Sequence, residues 1–310
     1  MKFPFELKVG REFDVVGFGT NAVDFLIQVP QYPAFSSKVE LSSYIQAAGG
    51  EVATTMVGLQ RLGLKTSYIG RFGDDAAGKL GFDSLLDEGV DTGYAEFVKG
   101  TRTQVAFIII DEQTGERTVI WQREAGLIFK ANDAPIQCTA RASVLHITPH
   151  DVQACIVMAA AAKQNGTLVS VDIDNVFDGI EELLPLVDVL IASADLPMRF
   201  TGLSGPNTAI TSIQEKFGCG VVGVTLGESG SLLCLGEKFI ETAGFPVPGG
   251  CKDTTGAGDA FRVGLLYGML TGKSVEESAR AANAVAALKC RAVGARTSLP
   301  GRDELEMFMK

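Results

Sequence analysis

Asp253-Thr254-Thr255-Gly256-Ala257-Gly258-Asp259-Ala260-Phe261, running straight into the apolar stretch AFRVGLLYGML, decides how this chain is read. Its small residues let the backbone N–H groups of residues 256–259 point into one small space. A glycine-rich turn that opens a helix is an anion site, because amides without intrahelical partners and the positive end of the dipole face the same way. Asp259 stands in that turn. A carboxylate beside bound phosphate would repel it, so its presence points to a reaction in which the acid takes a proton from a hydroxyl attacking phosphorus. At a helix N-terminus the ionised form is favoured, so Asp259 is expected to be a carboxylate and only weakly basic. The bland reading is a glycine-rich helix start with an incidental acid.

The rest of the chain bounds the setting. At 310 residues there is room for one large α/β domain. A net charge of −10 argues against a nucleic-acid or anionic-membrane partner, but not against a phosphorylated ligand held by local amides. Cys138, Cys155, Cys219, Cys234, Cys251 and Cys290 show no CxxC pair, which favours free thiols in a reducing cytoplasm over disulfides or zinc. The N-terminus MKFPFELKVGREFD lacks an apolar core and does not read as a secretory signal. Apolar runs such as VAFIII are too short to span a bilayer. A cytoplasmic protein is expected.

Short β-type runs alternate with helical patterns, which predicts a three-layer, doubly wound, mostly parallel sheet. Strands are expected at 13–19, 66–70, 143–147, 167–172, 187–192, 221–225 and 231–235. Helices are expected at 50–62, 76–88, 151–165, 206–217, 259–271 and 275–289, the last opened by a Ser274–Glu277 capping box. Residues 24–46 and 103–122 break the alternation. Both are strand-rich, the second turning at Gln113–Glu116, and together they could form a small sheet standing off a single domain of residues 1–310.

The DTTGAGDAF run resembles the C-terminal signature of the PfkB/ribokinase family of carbohydrate kinases, and the resemblance extends from about residue 13 to the C-terminus. It implies a ribokinase-like fold in which the two inserts form a β lid that excludes water from the sugar. Asp259 would then be the general base and Gly256, Ala257, Gly258 and Asp259 the anion hole. Ala47 to Gly63 (AAGGEVATTMVGLQRLG) is similar to the N-terminal signature, with Gly49 and Gly50 letting a sugar approach the backbone. Asp24 falls where the family binds sugar hydroxyls, and a carboxylate suits a vicinal diol. Lys38 lies on the lid near a position often basic or polar. Thr54 stands where the family usually has Asn, a departure that bears on substrate identity.

The same resemblance assigns Thr225 and Gly227 to the nucleotide's ribose and phosphates. It assigns Asn283 and the loop Ala292 to Ser298, including Gly294 and Ala295, to adenine. ATP and Mg²⁺ are the implied cofactors, with potassium held by Asp253, Thr255 and Ser298. The family's NxxE element is absent: Ser193-Ala194-Asp195-Leu196 stands there, and Asp195 could partly substitute. VAALKC, GARTSLP and Ala53-Thr54 are similar to a subgroup that includes sulfosugar kinases. Lid strands that pair between subunits would give a homodimer.

Three other patterns lead elsewhere and fail. Gly17 to Ala22 fits a dinucleotide fingerprint, but DFLIQVPQYP follows instead of a helix. Gly73 to Lys79 fits GxxxxGK, but Leu80 replaces the Ser or Thr that a P-loop needs. His146 and His150 flank Pro149 and lack a third ligand, so ordinary polar residues are favoured over zinc. The expectation is an ATP-dependent sugar kinase. A nucleoside kinase of the same fold, with an aromatic wall from Phe35, Tyr44 or Trp121, and a non-catalytic sugar-binding protein stay open beside it.

Overall fold

The structure, a computed structural model, describes residues 1–310. Its strands are β1 (Phe13–Phe18), β2 (Ala22–Val29), β3 (Ser43–Gly49), β4 (Thr66–Ile69), β5 (Arg71–Gly73), β6 (Glu96–Val98), β7 (Val105–Asp111), β8 (Arg117–Gln122), β9 (Ala142–Ile147), β10 (Leu168–Ile173), β11 (Val189–Ser193), β12 (Val221–Thr225), β13 (Ser231–Leu235) and β14 (Lys238–Thr242). Its helices are α1 (Glu51–Arg61), α2 (Ala76–Asp87), α3 (Val152–Asn165), α4 (Ile180–Leu183), α5 (Leu196–Thr201), α6 (Pro206–Phe217), α7 (Ala257–Leu270), α8 (Val275–Lys289) and α9 (Arg302–Phe308).

Eight strands form one sheet in the order β14-β13-β12-β11-β10-β9-β1-β4, parallel except where β13 pairs with β12 and β14. β4, β9 and β10 are buried along their whole length, as a parallel sheet covered on both faces requires. One face packs against α1, α7 and α8 through residues such as Val15, Met56, Phe261 and Val285. The other packs against α3 and α6 through Val16, Met158, Val171 and Ile210. This is the three-layer, doubly wound architecture expected from the sequence.

Local chemistry sets the helix starts. Asp75 caps α2 by accepting from the Gly78 amide at 2.8 Å. Ser274 and Glu277 close a reciprocal box over the start of α8. A seam of small residues then brings α7 and α8 together: a Cβ on Gly264 would lie 2.5 Å from the Ala281 carbonyl oxygen. That close contact fixes the head of α7 over the sheet.

The two expected inserts meet in a four-stranded sheet, β3-β2-β7-β8, with β2 and β7 parallel. Alternation gives it two faces. Leu26, Ala106, Ile108 and Ile110 face inward and form a small core of their own. Phe25, Phe107 and Ile120 lie in register on the outer face, and the Phe25 and Phe107 rings stack at 4.9 Å. Residues 30–42 join β2 to β3 without being strand. β14, the β5–β6 pair and the short helices α4, α5 and α9 were not expected from the sequence.

Candidate active site

A cleft of about 670 Å³ lies between the C-terminal ends of the parallel strands and the inner face of the small sheet. Ligands of open α/β sheets bind at this edge, where strand ends and helix N-termini converge. Thr148 follows β9, Asp172 and Asp174 end β10, Ser193 ends β11 and Thr225 ends β12. Gly50 and Glu51 come from the head of α1; Thr255, Gly256, Gly258, Asp259 and Arg262 come from the head of α7. Asp24, Ala106, Arg117 and Trp121 come from the small sheet.

The turn before α7 presents backbone amides without acceptors at a helix N-terminus. Gly256 sits at φ 77°, a left-handed conformation that glycine adopts without cost, and an added Cβ there would be 2.9 Å from Ala295. The amides of Gly256, Gly258 and Asp259 have no acceptor within the protein, whereas Ala257 N donates to the Thr254 carbonyl at 3.0 Å. The donor set is therefore three amides, not the four expected: closing the turn takes up the fourth. Arg262 reaches up from the next turn of α7, where its guanidinium contacts the Asp172 carboxylate and donates to the Ile191 carbonyl at 3.3 Å. Gly258 leaves room for it, since a Cβ would lie 2.8 Å from Arg262 Nη1. Arg262 Nε, Thr255 Oγ1 and Gln104 Oε1, all on residues that line the cleft, are buried without a protein partner. Buried polar atoms are rarely left so, and their position marks where a polar ligand fits.

Asp259 departs from the sequence expectation in its proton affinity. Burial pushes its carboxyl well above the ordinary range, and the Asp172 and Glu51 carboxylates push the same way, against Arg262 and Arg117. The helix N-terminus does not prevail over desolvation and two acidic neighbours. A carboxylate held at such affinity is a stronger base than an exposed one. Asp172 itself is pushed up to about 7 by burial, against the pull of Arg262.

At the other end of the cleft Asp24 is 4% exposed and burial raises its pKa to about 6, with Arg296 opposing. Gly49 makes its place: a Cβ would fall 1.9 Å from Asp24 Oδ2. Glu51 lies 3.0 Å from His150 Nε2. Burial alone would raise Glu51, but the imidazole outweighs it and holds the carboxyl below its usual range. Burial likewise disfavours the imidazolium, and Glu51 outweighs it to raise His150. Trp121 and Phe177 stand edge-on to the His150 ring at 6.3 and 5.2 Å. From the hairpin, Arg117 Nη1 donates to Thr254 Oγ1 at 2.6 Å, so the small sheet touches the anion turn directly.

Several residues singled out in the sequence lie outside this cleft. Lys38 is exposed in the 30–42 connection. Thr54 is wholly buried in α1 and accepts from Arg296 Nε at 3.3 Å, so it faces packing. Gly227 sits in a short helical turn beyond Thr225. The Asn283 amide nitrogen is taken up by Ser231 Oγ and the Thr242 and Ala243 carbonyls. Phe35 is fully exposed, and Tyr44 stacks on Phe25 at 6.1 Å on the outer face. Asp195, the suggested stand-in for NxxE, turns away to pair with Arg199 at 2.8 Å, and Leu196 is buried. No group of three His, Cys, Asp or Glu side chains is placed to hold a metal ion.

Two of the three residues implied for potassium, Asp253 and Ser298, have their oxygens engaged within the protein, whereas Thr255 Oγ1 has no partner. Asp253 is wholly buried, and its Oδ1 and Oδ2 accept from the amides of Thr255 and Gly294, each at 2.8 Å. The ammonium of Lys289 donates to the Asp253 carbonyl at 2.7 Å, and Ser298 Oγ donates to the Lys289 carbonyl at 2.5 Å.

Arg117, Arg262 and the Glu51–His150 pair were not expected at the site from the sequence. Arg262 did carry a signal, being the one charged residue in the apolar stretch AFRVGLLYGML. His150, set aside as a strand-end residue, lines the cleft.

The description pfkB family carbohydrate kinase matches residues 13–302. The chain is 32% identical to a fructokinase of Escherichia coli over 83% of this chain and 90% of that one. It is 28% identical to a ribokinase of Haemophilus influenzae over 94% of this chain and 97% of that one. The structure of Arabidopsis thaliana ribokinase complexed with ribose and ATP superposes with a TM-score of 0.80 at 27% identity, covering 96% of this chain and 99% of that one. No helix is long and apolar enough to cross a membrane.

Proposed function

The chain belongs to the pfkB family of carbohydrate kinases, phosphotransferases with an alcohol acceptor, and from that premise we propose that it transfers the γ-phosphoryl group of ATP to a sugar hydroxyl with Asp259 as general base. The observation that carries this reading is the sharing of one turn by the Asp259 carboxylate and the three free amides of Gly256, Gly258 and Asp259. Phosphoryl transfer needs positioning and charge stabilisation more than covalent help. The amides meet the charge on the transferred group. Asp259 accepts the proton of the attacking hydroxyl, and its raised affinity makes it a stronger base than an exposed carboxylate.

Asp24 holds the sugar through two hydrogen bonds to neighbouring hydroxyls, in the room that Gly49 leaves. Residues 24–46 and 103–122 act as the lid of a single domain, and Arg117 links that lid to the anion turn. Mg²⁺ bound with the nucleotide would neutralise its phosphates. The cleft's exposed Asp174 carboxylate is an oxygen ligand suited to a hydrated ion of that kind. Sugar preference follows the relatives' names, fructokinase and ribokinase. A nucleoside acceptor is the second reading, favoured by the aromatic wall of Trp121 and Phe177 in the cleft.

We also propose that two copies associate through the outer face of the lid, where Tyr44, Phe107 and Ile120 are 52%, 43% and 57% exposed.

ADP release with ATP and a panel of D-fructose, D-ribose, a sulfonated sugar and nucleosides tests the reading. Turnover with a sugar supports it, and turnover with nucleosides alone moves it to the second reading. ATP binding without turnover on any acceptor contradicts it.

A further inference from the structure

Lys289 is the last residue of α8, and its side chain is wholly buried. α8 is otherwise an alanine-rich helix packed on apolar neighbours, where an aliphatic residue would fill the same space at no electrostatic cost. A buried ammonium is retained only where opposite charge and acceptors meet it. Here they do: Nζ donates to the Asp253 carbonyl at 2.7 Å and lies 3.8 Å from Asp253 Oδ2. The C-terminal end of α8 adds its negative dipole end.

The surroundings tie this ammonium to the anion turn. Asp253 Oδ1 accepts from Thr255 N and Oδ2 from Gly294 N, so one carboxylate clamps the segment entering Gly256 to the loop beside Ala295. Ser298 Oγ in turn holds the Lys289 carbonyl. Asp253 and Ser298, two of the residues the family resemblance assigns to a monovalent cation, thus bond to Lys289 itself. We propose that the Lys289 ammonium is a built-in monovalent cation, a positioning residue that neutralises Asp253 and frees turnover from any need for potassium. The ammonium group and K⁺ share a single positive charge, similar size and a preference for carbonyl and carboxylate oxygens. A tethered one is present at every salt concentration. The inference rests on the kinase reading above, because it concerns the support of that phosphate-binding turn.

The test compares KCl with tetramethylammonium chloride at equal ionic strength, using ATP with D-fructose and with D-ribose. The wild-type rate is expected to agree within about twofold, and its melting temperature in KCl to match that in NaCl, since a cation that does not bind cannot stabilise. Lys289→Ala is expected to slow at least about tenfold in tetramethylammonium, as loss of a preorganised charge does, and to recover in KCl but not in LiCl. Lys289→Met, which fills the space without charge, is expected to stay slow in every salt.

Potassium stimulation of the wild type beyond about fivefold, or a potassium-specific rise in its melting temperature, overturns the proposal. So does a folded Lys289→Ala enzyme at full speed in tetramethylammonium. If that variant does not fold, the wild-type salt comparison decides. If neither sugar is phosphorylated in any salt, the rate comparison moves to whichever acceptor of the wider panel turns over, failure on every acceptor sinks the kinase reading separately, and the wild-type melting comparison still tests the cation.

Discussion

Gly49→Ala separates the sugar end of the cleft from the phosphate end with one methyl group. Gly49 lies in extended backbone that any residue adopts, so the effect of a side chain there is one of space alone. The new Cβ would fall 1.9 Å from Asp24 Oδ2 and 2.5 Å from its carboxyl carbon. Reaching the 3.4 Å of ordinary contact requires that oxygen to retreat by about 1.5 Å, further than a hydrogen bond to a fixed hydroxyl survives. Asp24 cannot swing freely, because it is 4% exposed on the inner face of the lid. Each hydrogen bond to a charged group contributes about 1.5–3 kcal/mol, so losing two costs about 3–6 kcal/mol, or about 10²–10⁴-fold in kcat/KM for the sugar. The nucleotide end is untouched, and KM for ATP should stay within about twofold. Steady-state ADP release with sugar and ATP varied in turn measures both. A folded Gly49→Ala enzyme whose kcat/KM for sugar is within about threefold of wild type would refute the placing of the sugar on Asp24.

Two further outcomes follow from the same cleft. The ionised form of Asp24 accepts two hydroxyls and the protonated form only partly so; with its pKa raised to about 6, kcat/KM for the sugar should fall as pH drops through that value, and Asp24→Asn should abolish this limb. Because that raised affinity means the folded state holds the proton more tightly, stability declines as pH rises from the unfolded carboxyl's range through about 6, and Asp24→Asn should melt higher than wild type at pH 8. Phe107→Lys puts a charge on the exposed lid face, and light scattering is expected to report a dimer for wild type and a monomer for the variant; a wild-type monomer would refute the pairing.

Periodicity and punctuation made much of this fold legible. Buried parallel strands read as continuous apolar runs, so β1, β4, β9, β10, β11, β12 and β13 were found within two residues. The capping box at Ser274 was legible because capping is local chemistry. β14 was not, because KFIET is a half-exposed edge strand with too few apolar residues to stand out. The site divides in the same way. The anion turn is contiguous in sequence and announces itself. Asp172, Glu51, His150 and Arg117 come from four separate elements, and only folding brings them to one cleft. Proton affinity was the least legible property. The helix N-terminus at Asp259 can be read from the sequence, but the burial and the acidic neighbours that outweigh it cannot. Lys289 was hidden for a related reason, since a lysine ending an alanine-rich helix ordinarily points to solvent, and here the loop carrying Asp253 covers it.

Asp259→Asn tests most directly whether a basic carboxylate and free amides on one turn activate an alcohol toward a phosphoryl group, because it keeps the shape and removes the base. Its kcat is expected to fall by about 10²–10⁴-fold while ATP binding, measured by calorimetry, is preserved. A variant that turns over within about threefold of wild type, with ATP still bound, would contradict it.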